Sequence, residues 1–340
     1  VKIEEITFVG NDNFSSRQLR RKMKNTKMKK MNFLKASKFI SDKYDEDKDN
    51  LYIFYNDNGY KDFKILGDSL YPLTENRVGL AIMIDEGKQY FLRDIKWVGN
   101  SVYKAEDLER ILNIEKGSVY NMSHLDDRLN GASGAQDAVS ALYQDQGYLF
   151  SRLVPVEANV EDDSVDLEVR IYEGDQAYLN NIIITGNTRT NEHIARRELY
   201  TLPGELFSKS AILRSMRQLG VIGHFDPEKI SPNVVPDPAN GTVDLHYKLE
   251  ERANDQFEIS GGWGAGMLVG SVGVHFNNFS MRNFLNLKEW KPYPSGDGQS
   301  FSIRAQSNGR LYQSYNLSFM EPWLGGNKPN SFSVSVYRSL

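Results

Sequence analysis

The sequence predicts an α+β fold of three β-α-α-β-β repeats, followed by antiparallel strands of a transmembrane β-barrel that is truncated before it closes. Three observations carry this. The segment Ile6-Thr7-Phe8-Val9-Gly10-Asn11 returns as Ile95-Lys96-Trp97-Val98-Gly99-Asn100 and as Ile182-Ile183-Ile184-Thr185-Gly186-Asn187, a period of roughly 88 residues. A second segment, Tyr55-Asn56-Asp57-Asn58-Gly59-Tyr60, recurs as Tyr143-Gln144-Asp145-Gln146-Gly147-Tyr148 and degrades to Leu219-Gly220-Val221-Ile222-Gly223-His224-Phe225. From Gln256 onward residues alternate with period two, and charge thins out: 75 of the first 255 positions are charged but only 11 of the last 85. The two parts are built for different solvents.

In the first repeat, a strand carrying Ile3, Ile6 and Phe8 ends at Gly10-Asn11, a pair that supplies the permissive backbone of a sharp turn. Ser15-Ser16 then offer hydroxyls to cap a helix beginning at Arg17. A second helix is expected over Asp45–Asn56, with an acidic start and with Leu51, Phe54 and Tyr55 on one face. Gly59 ends it, Lys61–Leu66 forms a strand, and Val78–Glu86 forms the last. The second repeat gives helices near Ala105–Leu112 and His124–Gln146, a strand over Phe150–Ala158 and a closing strand Val165–Glu173. The third gives helices near Glu192–Leu199 and Ser208–Leu219, a strand over Ile230–Val235 and a closing strand Val243–Glu251. Domain boundaries follow at 1–91, 92–177, 178–254 and 255–340.

Pro155 and Pro232 lie in the middle strand of the second and third repeats, and proline cannot donate a ladder hydrogen bond. That strand is therefore expected at the sheet edge. In the first repeat, Lys61, Asp62, Phe63, Lys64, Ile65 and Leu66 contain no proline, so this edge either captures an extended polypeptide by β-augmentation or is an ordinary solvated edge.

Five strands follow with one grammar. Phe257, Ile259 and Trp263 alternate with polar or small residues, as do Val272, Val274 and Phe276, then Phe301 and Ile303, then Tyr315, Leu317 and Phe319, then Phe332, Val334 and Val336. A soluble sandwich alternates too. Few charges, serine and glycine on the other face, and the aromatic residues Phe279, Phe284, Trp290, Tyr293 and Trp323 near strand ends favour a barrel with those apolar side chains toward lipid. An open sheet in hydrocarbon leaves backbone groups unsatisfied, so further strands are expected after Leu340. The first strand, Gln256, Phe257, Glu258, Ile259, Ser260, Gly261, Gly262, Trp263 and Gly264, is one side of the closing seam. Its glycines either weaken the seam so that it opens to another strand or permit curvature at the barrel rim.

The 340 residues carry a net charge of −4 and no cysteine, which excludes disulfides, thiolate metal sites and cysteine nucleophiles. No apolar run reaches the roughly 18 residues of a membrane-spanning helix. The five histidines are scattered, and Asp45–Asp49 is a helix start rather than a calcium loop, since Asn50 and Asn56 stand where glycine and glutamate are needed. No cofactor or metal is expected and no enzymatic chemistry. Arg17–Lys38 holds ten basic residues, which form either a solvated, partly self-paired surface or an anionic contact; the acidic balance of the repeats speaks against nucleic acid.

The repeats, with Gly-Asn after the first strand and Gly-Tyr before the edge strand, resemble POTRA domains. The glycine-rich Gln256–Gly264 strand, the Val272-Gly273-Val274-His275-Phe276-Asn277-Asn278-Phe279 strand and the Phe319-Met320-Glu321-Pro322-Trp323 ending resemble the opening of the BamA-type outer-membrane barrel. The resemblance implies the third-, fourth- and fifth-like POTRA domains of an outer-membrane assembly factor, with its POTRA domains in the periplasm and two more before Val1. It implies unfolded outer-membrane proteins, accessory lipoproteins and the lipid bilayer as partners. Arg197 and Glu198, in a segment similar to the family's first-helix basic-acidic pair, are the expected lipoprotein contact. A TamA-like assembly factor and a polypeptide-secreting pore of the same superfamily are the alternatives.

Overall fold

The computed structural model describes residues 2–28, 39–132, 134, 137–264, 267–290, 292–309, 312–326 and 328–340. Each repeat forms a three-stranded sheet with its helices on one face. In the first repeat these are β1 (Lys2–Val9), α1 (Ser16–Lys22), α2 (Ser41–Asp57), β2 (Lys64–Thr74) and β3 (Arg77–Asp85). The second has β4 (Phe91–Val98), α3 (Ala105–Leu112), α4 (Met122–Asn130), α5 (Val139–Asp145), β5 (Arg152–Glu161) and β6 (Ser164–Tyr172). The third has β7 (Tyr178–Thr185), α6 (Glu192–Arg196), α7 (Lys209–Val221), β8 (Ser231–Asp237) and β9 (Thr242–Lys248). The closing strand is central every time, parallel to the first strand and antiparallel to the middle one, in the orders β1-β3-β2, β4-β6-β5 and β7-β9-β8.

The Gly-Asn motif has a single physical cause in all three copies. Gly10, Gly99 and Gly186 sit at φ of 89°, 87° and 92°, and a Cβ there would lie 2.2, 2.3 and 1.9 Å from the carbonyl oxygens of Ile84, Ile171 and Leu249. Only glycine fits a left-handed turn that abuts the closing strand. The next residue fastens the loop: Asn11, Asn100 and Asn187 donate from Nδ2 to the carbonyls of Phe14, Tyr103 and Thr190 at 2.7, 2.9 and 3.1 Å.

A glutamate at the end of each closing strand clamps the same loop. Glu86 accepts from the Asn13 backbone N–H at 2.8 Å and the Tyr55 hydroxyl at 2.7 Å. Glu173 accepts from the Ser101 hydroxyl, the Val102 N–H at 2.9 Å and the Tyr143 hydroxyl at 3.2 Å. In the third repeat Leu219 replaces the tyrosine, and Glu251 takes the Thr188 hydroxyl at 2.7 Å, the Arg189 N–H at 2.9 Å and the Thr190 N–H at 2.6 Å. Burial pushes the Glu173 and Glu251 carboxyls up, but these donors outweigh it and hold both below the usual carboxylate range. The tyrosine that opens the second motif is thus a clamp residue, and its loss in the third copy is offset by a backbone donor.

Several elements differ from expectation. The helix expected over His124–Gln146 is two helices, because Gly131 ends α4 at φ 69° and α5 begins only at Val139. α2 starts at Ser41, after an Ile40 cap that makes no side-chain hydrogen bond and so leaves no mark in the sequence. Four basic residues of the Arg17–Lys38 run, Lys29, Lys30, Lys35 and Lys38, lie outside the described residues.

After the third repeat come β10 (Gln256–Gly264), β11 (Met267–Phe279), β12 (Gln299–Asn308), β13 (Gln313–Glu321) and β14 (Phe332–Ser339), antiparallel and in consecutive order. The sheet is open among the described residues, with β10 and β14 at its edges. Internal packing divides the chain into two compact units, Val1–Tyr143 with Phe150–Gly174, and Gln144–Leu149 with Asp175–Leu340.

Candidate functional site

β10 pairs with β11 on one side, in unbroken register from Gln256↔His275 to Gly264↔Met267, and among the described residues has no strand on the other. Directly opposed residues share a face, so the register assigns each side chain. Phe257, Val274, Ile303, Leu317 and Val336 form one apolar row, and Phe276, Phe301, Phe319 and Val334 another; Val272, Tyr315 and Phe332 join the same face. All the side chains expected toward lipid therefore lie on one surface. Phe257, Ile259 and Trp263 are 73%, 84% and 76% exposed, so the seam strand buries little of its own apolar area.

The opposite face is polar and small. Ser260 and Ser271 are 2.8 Å apart, Ser302 and Ser318 are 2.6 Å apart, and Arg304 donates to Glu258 at 2.7 Å across the side-chain-free Gly273. A Cβ on Gly262 would meet nothing within 4 Å.

At its root the seam strand is tied down. The Asp255 carboxylate accepts from the Tyr293 hydroxyl at 2.7 and 2.8 Å and from the Asn277 N–H at 3.3 Å, with the Arg189 guanidinium 3.7 Å away. Burial first, and the hydrogen bond to Asp255 second, raise the Tyr293 phenol. The loop after Gly186-Asn187 carries the rest of the junction: Asn278 donates to the Thr190 hydroxyl at 2.9 Å, and Asn191 donates to Asp297 at 2.7 Å, while Ser280 and Arg282 also reach Asp297 at 2.6 and 3.0 Å. Nothing in the sequence marked Asp255 or Tyr293 as partners; Tyr293 was read only as one of the aromatic residues near strand ends. Phe279 is buried and stacked on Phe301 at 4.8 Å, and the partly buried Tyr293 lies 4.3 Å from Phe276, ring centre to ring centre.

Arg197 and Glu198 require correction. α6 stops at Arg196, and the turn that follows sends both side chains inward: they are 14% and 8% exposed. The Arg197 guanidinium lies 4.9 Å from the Trp323 ring centroid, and Glu198 accepts from Gln218 at 3.1 Å. A lipoprotein contact was expected at these two residues; the exposed ion pair of this segment is instead Arg196 with Glu192, and the Arg197–Glu198 contact is a loose 3.6 Å. Both line a cavity of about 700 Å³ together with His224, Gln256, Asn277 and Trp323. Burial, and then the Arg197 charge, push the His224 imidazole down to about 4.

The edge of the first repeat also shifts. Lys61, Asp62 and Phe63 precede β2: Phe63 is core, Asp62 accepts from the Tyr90 hydroxyl at 2.6 Å, and Lys61 pairs with Glu157 of the second repeat at 2.6 Å. Lys64, Ile65 and Leu66 do open the edge strand, which runs on to Thr74 with bulges between Ile65 and Gly67 and between Pro72 and Thr74. The bulges break the alternation, which is why the strand's length was not legible. Pro72 makes this edge proline-bearing like the others, so it is not the unprotected one. Leu66, the bulged residue, is exposed, as are Leu70 and Leu73.

All three repeats match a known family. The family model described as POTRA, surface antigen variable number repeat, fits residues 1–87, 90–174 and 177–252. The chain belongs to the POTRA family. It is 30% identical over 333 residues to the outer membrane protein assembly factor BamA of Neisseria meningitidis serogroup B, covering 95% of this chain and 38% of that protein. To a putative outer membrane protein assembly factor of Treponema pallidum it is 27% identical, over 96% of this chain and 37% of that protein. The chain thus spans less than two-fifths of these relatives. Among solved structures, POTRA domains 3–5 of Haemophilus influenzae BamA superpose with a TM-score of 0.56 at 22% identity, over 74% of this chain and 96% of that one, which supports the POTRA fold. The five-stranded antiparallel sheet that follows the third POTRA domain is consistent with the start of a barrel.

Proposed function

We propose that the intact protein assembles β-barrel proteins in the bacterial outer membrane by exchanging backbone hydrogen bonds, with no cofactor and no bond-making step. Its POTRA domains sit in the periplasm and receive unfolded barrel precursors; the apolar face of β11 to β14 contacts lipid; and the free edge of β10 pairs with an incoming strand. Accessory lipoproteins dock on POTRA surfaces other than the inward-facing Arg197 and Glu198. The likeness to outer membrane protein assembly factors of Neisseria meningitidis and Treponema pallidum supports this reading. The observation that carries it is the build of β10, which among the described residues lies at the sheet edge: it includes Gly261, Gly262 and Gly264, and Phe257, Ile259 and Trp263 are largely exposed, so its side chains pack weakly. Each new ladder bond replaces one that water supplied, so no external energy is called for.

The test is site-specific photocrosslinking from positions 257 and 259 of the full-length protein in its own membrane while a client barrel is being synthesised. Adducts to a client strand support the proposal, and their absence while clients continue to assemble refutes it.

A further inference from the structure

Resting on the strand-templating reading just given, we propose that Glu258 sets which strand is accepted: β10 selects an amphipathic segment that places a lysine or arginine directly opposite Glu258 and disfavours one that places a carboxylate there. Glu258 is the one charged residue in Gln256–Gly264. The register Glu258↔Gly273 and Gly273↔Arg304 puts it on the polar face, with Arg304 two strands away. Both resident partners use the same oxygen: Oε1 accepts from Arg304 Nη2 at 2.7 Å and from Ser271 Oγ at 3.0 Å, and Oε2 has no hydrogen bond among the described residues. Half of the carboxylate is thus committed inward and half is open.

An arriving strand adds on the side of β10 away from β11 and Arg304. Its residue opposite Glu258 falls on the polar face at cross-strand distance, while its neighbours on the apolar face meet Phe257 and Ile259. A cation at that position gains the open oxygen. A carboxylate meets like charge that Arg304, on the far side of Gly273, screens only in part. Directly opposed charges in antiparallel pairs typically change pairing by about two- to five-fold, which is the preference expected here. Arg304 is the resident counter-ion that keeps Glu258 compensated.

In the experiment, the full-length protein in its native membrane carries a single cysteine at Ile259, and a client carries one cysteine in its pairing strand with Lys, Gln or Glu scanned along the polar positions of that strand. At one position the disulfide yield in the wild-type background should run Lys above Gln above Glu. Glu258→Gln should flatten that order and Glu258→Lys should invert it. An order unchanged across the three backgrounds overturns the proposal and leaves templating intact; yields that form but show no charge order in the wild type, where nothing but the client is altered, do the same. No disulfide with any client strand overturns the templating reading and this proposal with it.

Discussion

Two regions of this chain write the same period-two alternation and meet opposite fates. In β6, Val165, Leu167, Val169 and Ile171 are fully or almost fully buried beneath the helices of their repeat. In the C-terminal sheet, Val272, Ile303, Leu317 and Val336 are 53%, 46%, 42% and 61% exposed. The alternation fixes which side of a strand is apolar; what covers that side is decided by what the sequence puts next. The repeats place amphipathic helices before each edge strand, whereas the sheet places hairpins and turns. A contiguous apolar face of this extent is unlike the surface of a water-soluble monomer, and fits the lipid contact proposed.

The glycines give the sharpest break in that comparison. Gly186→Ala puts a Cβ 1.9 Å from the Leu249 carbonyl oxygen at a φ of 92°, and should destabilise the third POTRA domain by about 3 kcal/mol or more. Gly262→Ala meets empty space, needs no positive φ, and should change stability by less than about 0.5 kcal/mol. Hydrogen exchange on the two variants of the full-length protein checks both: protection should collapse across β7 and β9 in the first variant and stay put in the second. Equal effects would mean that glycines in the sheet are as constrained as those in the turns.

A second, smaller difference separates the third POTRA domain from the first two. The motif's aromatic turn residue is Tyr60 or Tyr148 in those and His224 here, buried beside Arg197, Glu251 and Asp255. Its folded value, about 4, lies below the ordinary 6.5, so the unfolded chain binds more protons between these values and stability falls as pH drops from about 6.5 to about 4. The Glu173 and Glu251 clamps have depressed values too, but their contribution is lost only as pH falls through the lower end of the carboxylate range. Exchange protection, corrected for the intrinsic rate, should therefore weaken in the third domain before the other two on acidification, and His224→Gln should abolish that lead. Simultaneous weakening in all three would assign acid sensitivity to carboxylates alone.

Much of this was legible because it is local. The period, the Gly-Asn turns, the serine cap of the first helix, the central closing strands' apolar pattern and all five C-terminal strands depend on residues within a few positions of each other or on strict alternation. What was not legible depends on partners far along the chain. The bulges in β2 hide its true length, and the burial of Arg197 is set by Trp323, more than a hundred positions away. The Glu86, Glu173 and Glu251 clamps left a signal in their recurrence at the end of each closing strand, but their meaning needed the loop that each one faces. Helix ends without a side-chain cap, such as Ile40, leave no signal at all.

The smallest expected effect tests how firmly the first two POTRA domains are joined. Tyr90 N–H donates to the Gly59 carbonyl at 2.9 Å, Asn121 donates to the Asp57 carbonyl at 2.8 Å, and Lys61 pairs with Glu157, which also accepts from the Tyr120 hydroxyl at 3.1 Å. Two of these three ties end on backbone carbonyls and survive any side-chain change at position 61. The ion pair itself is partly solvated, so a double-mutant cycle with Lys61→Ala and Glu157→Ala should give a coupling of about 0.2–1 kcal/mol. Because Glu157 also holds Tyr120, Glu157→Ala alone should destabilise more than Lys61→Ala, and urea unfolding of the intact protein followed by exchange in this junction measures the inequality. If Lys61→Ala were the more damaging of the two, the ion pair rather than the backbone ties would be what joins the domains, and the edge strand that starts three residues later would be positioned by charge.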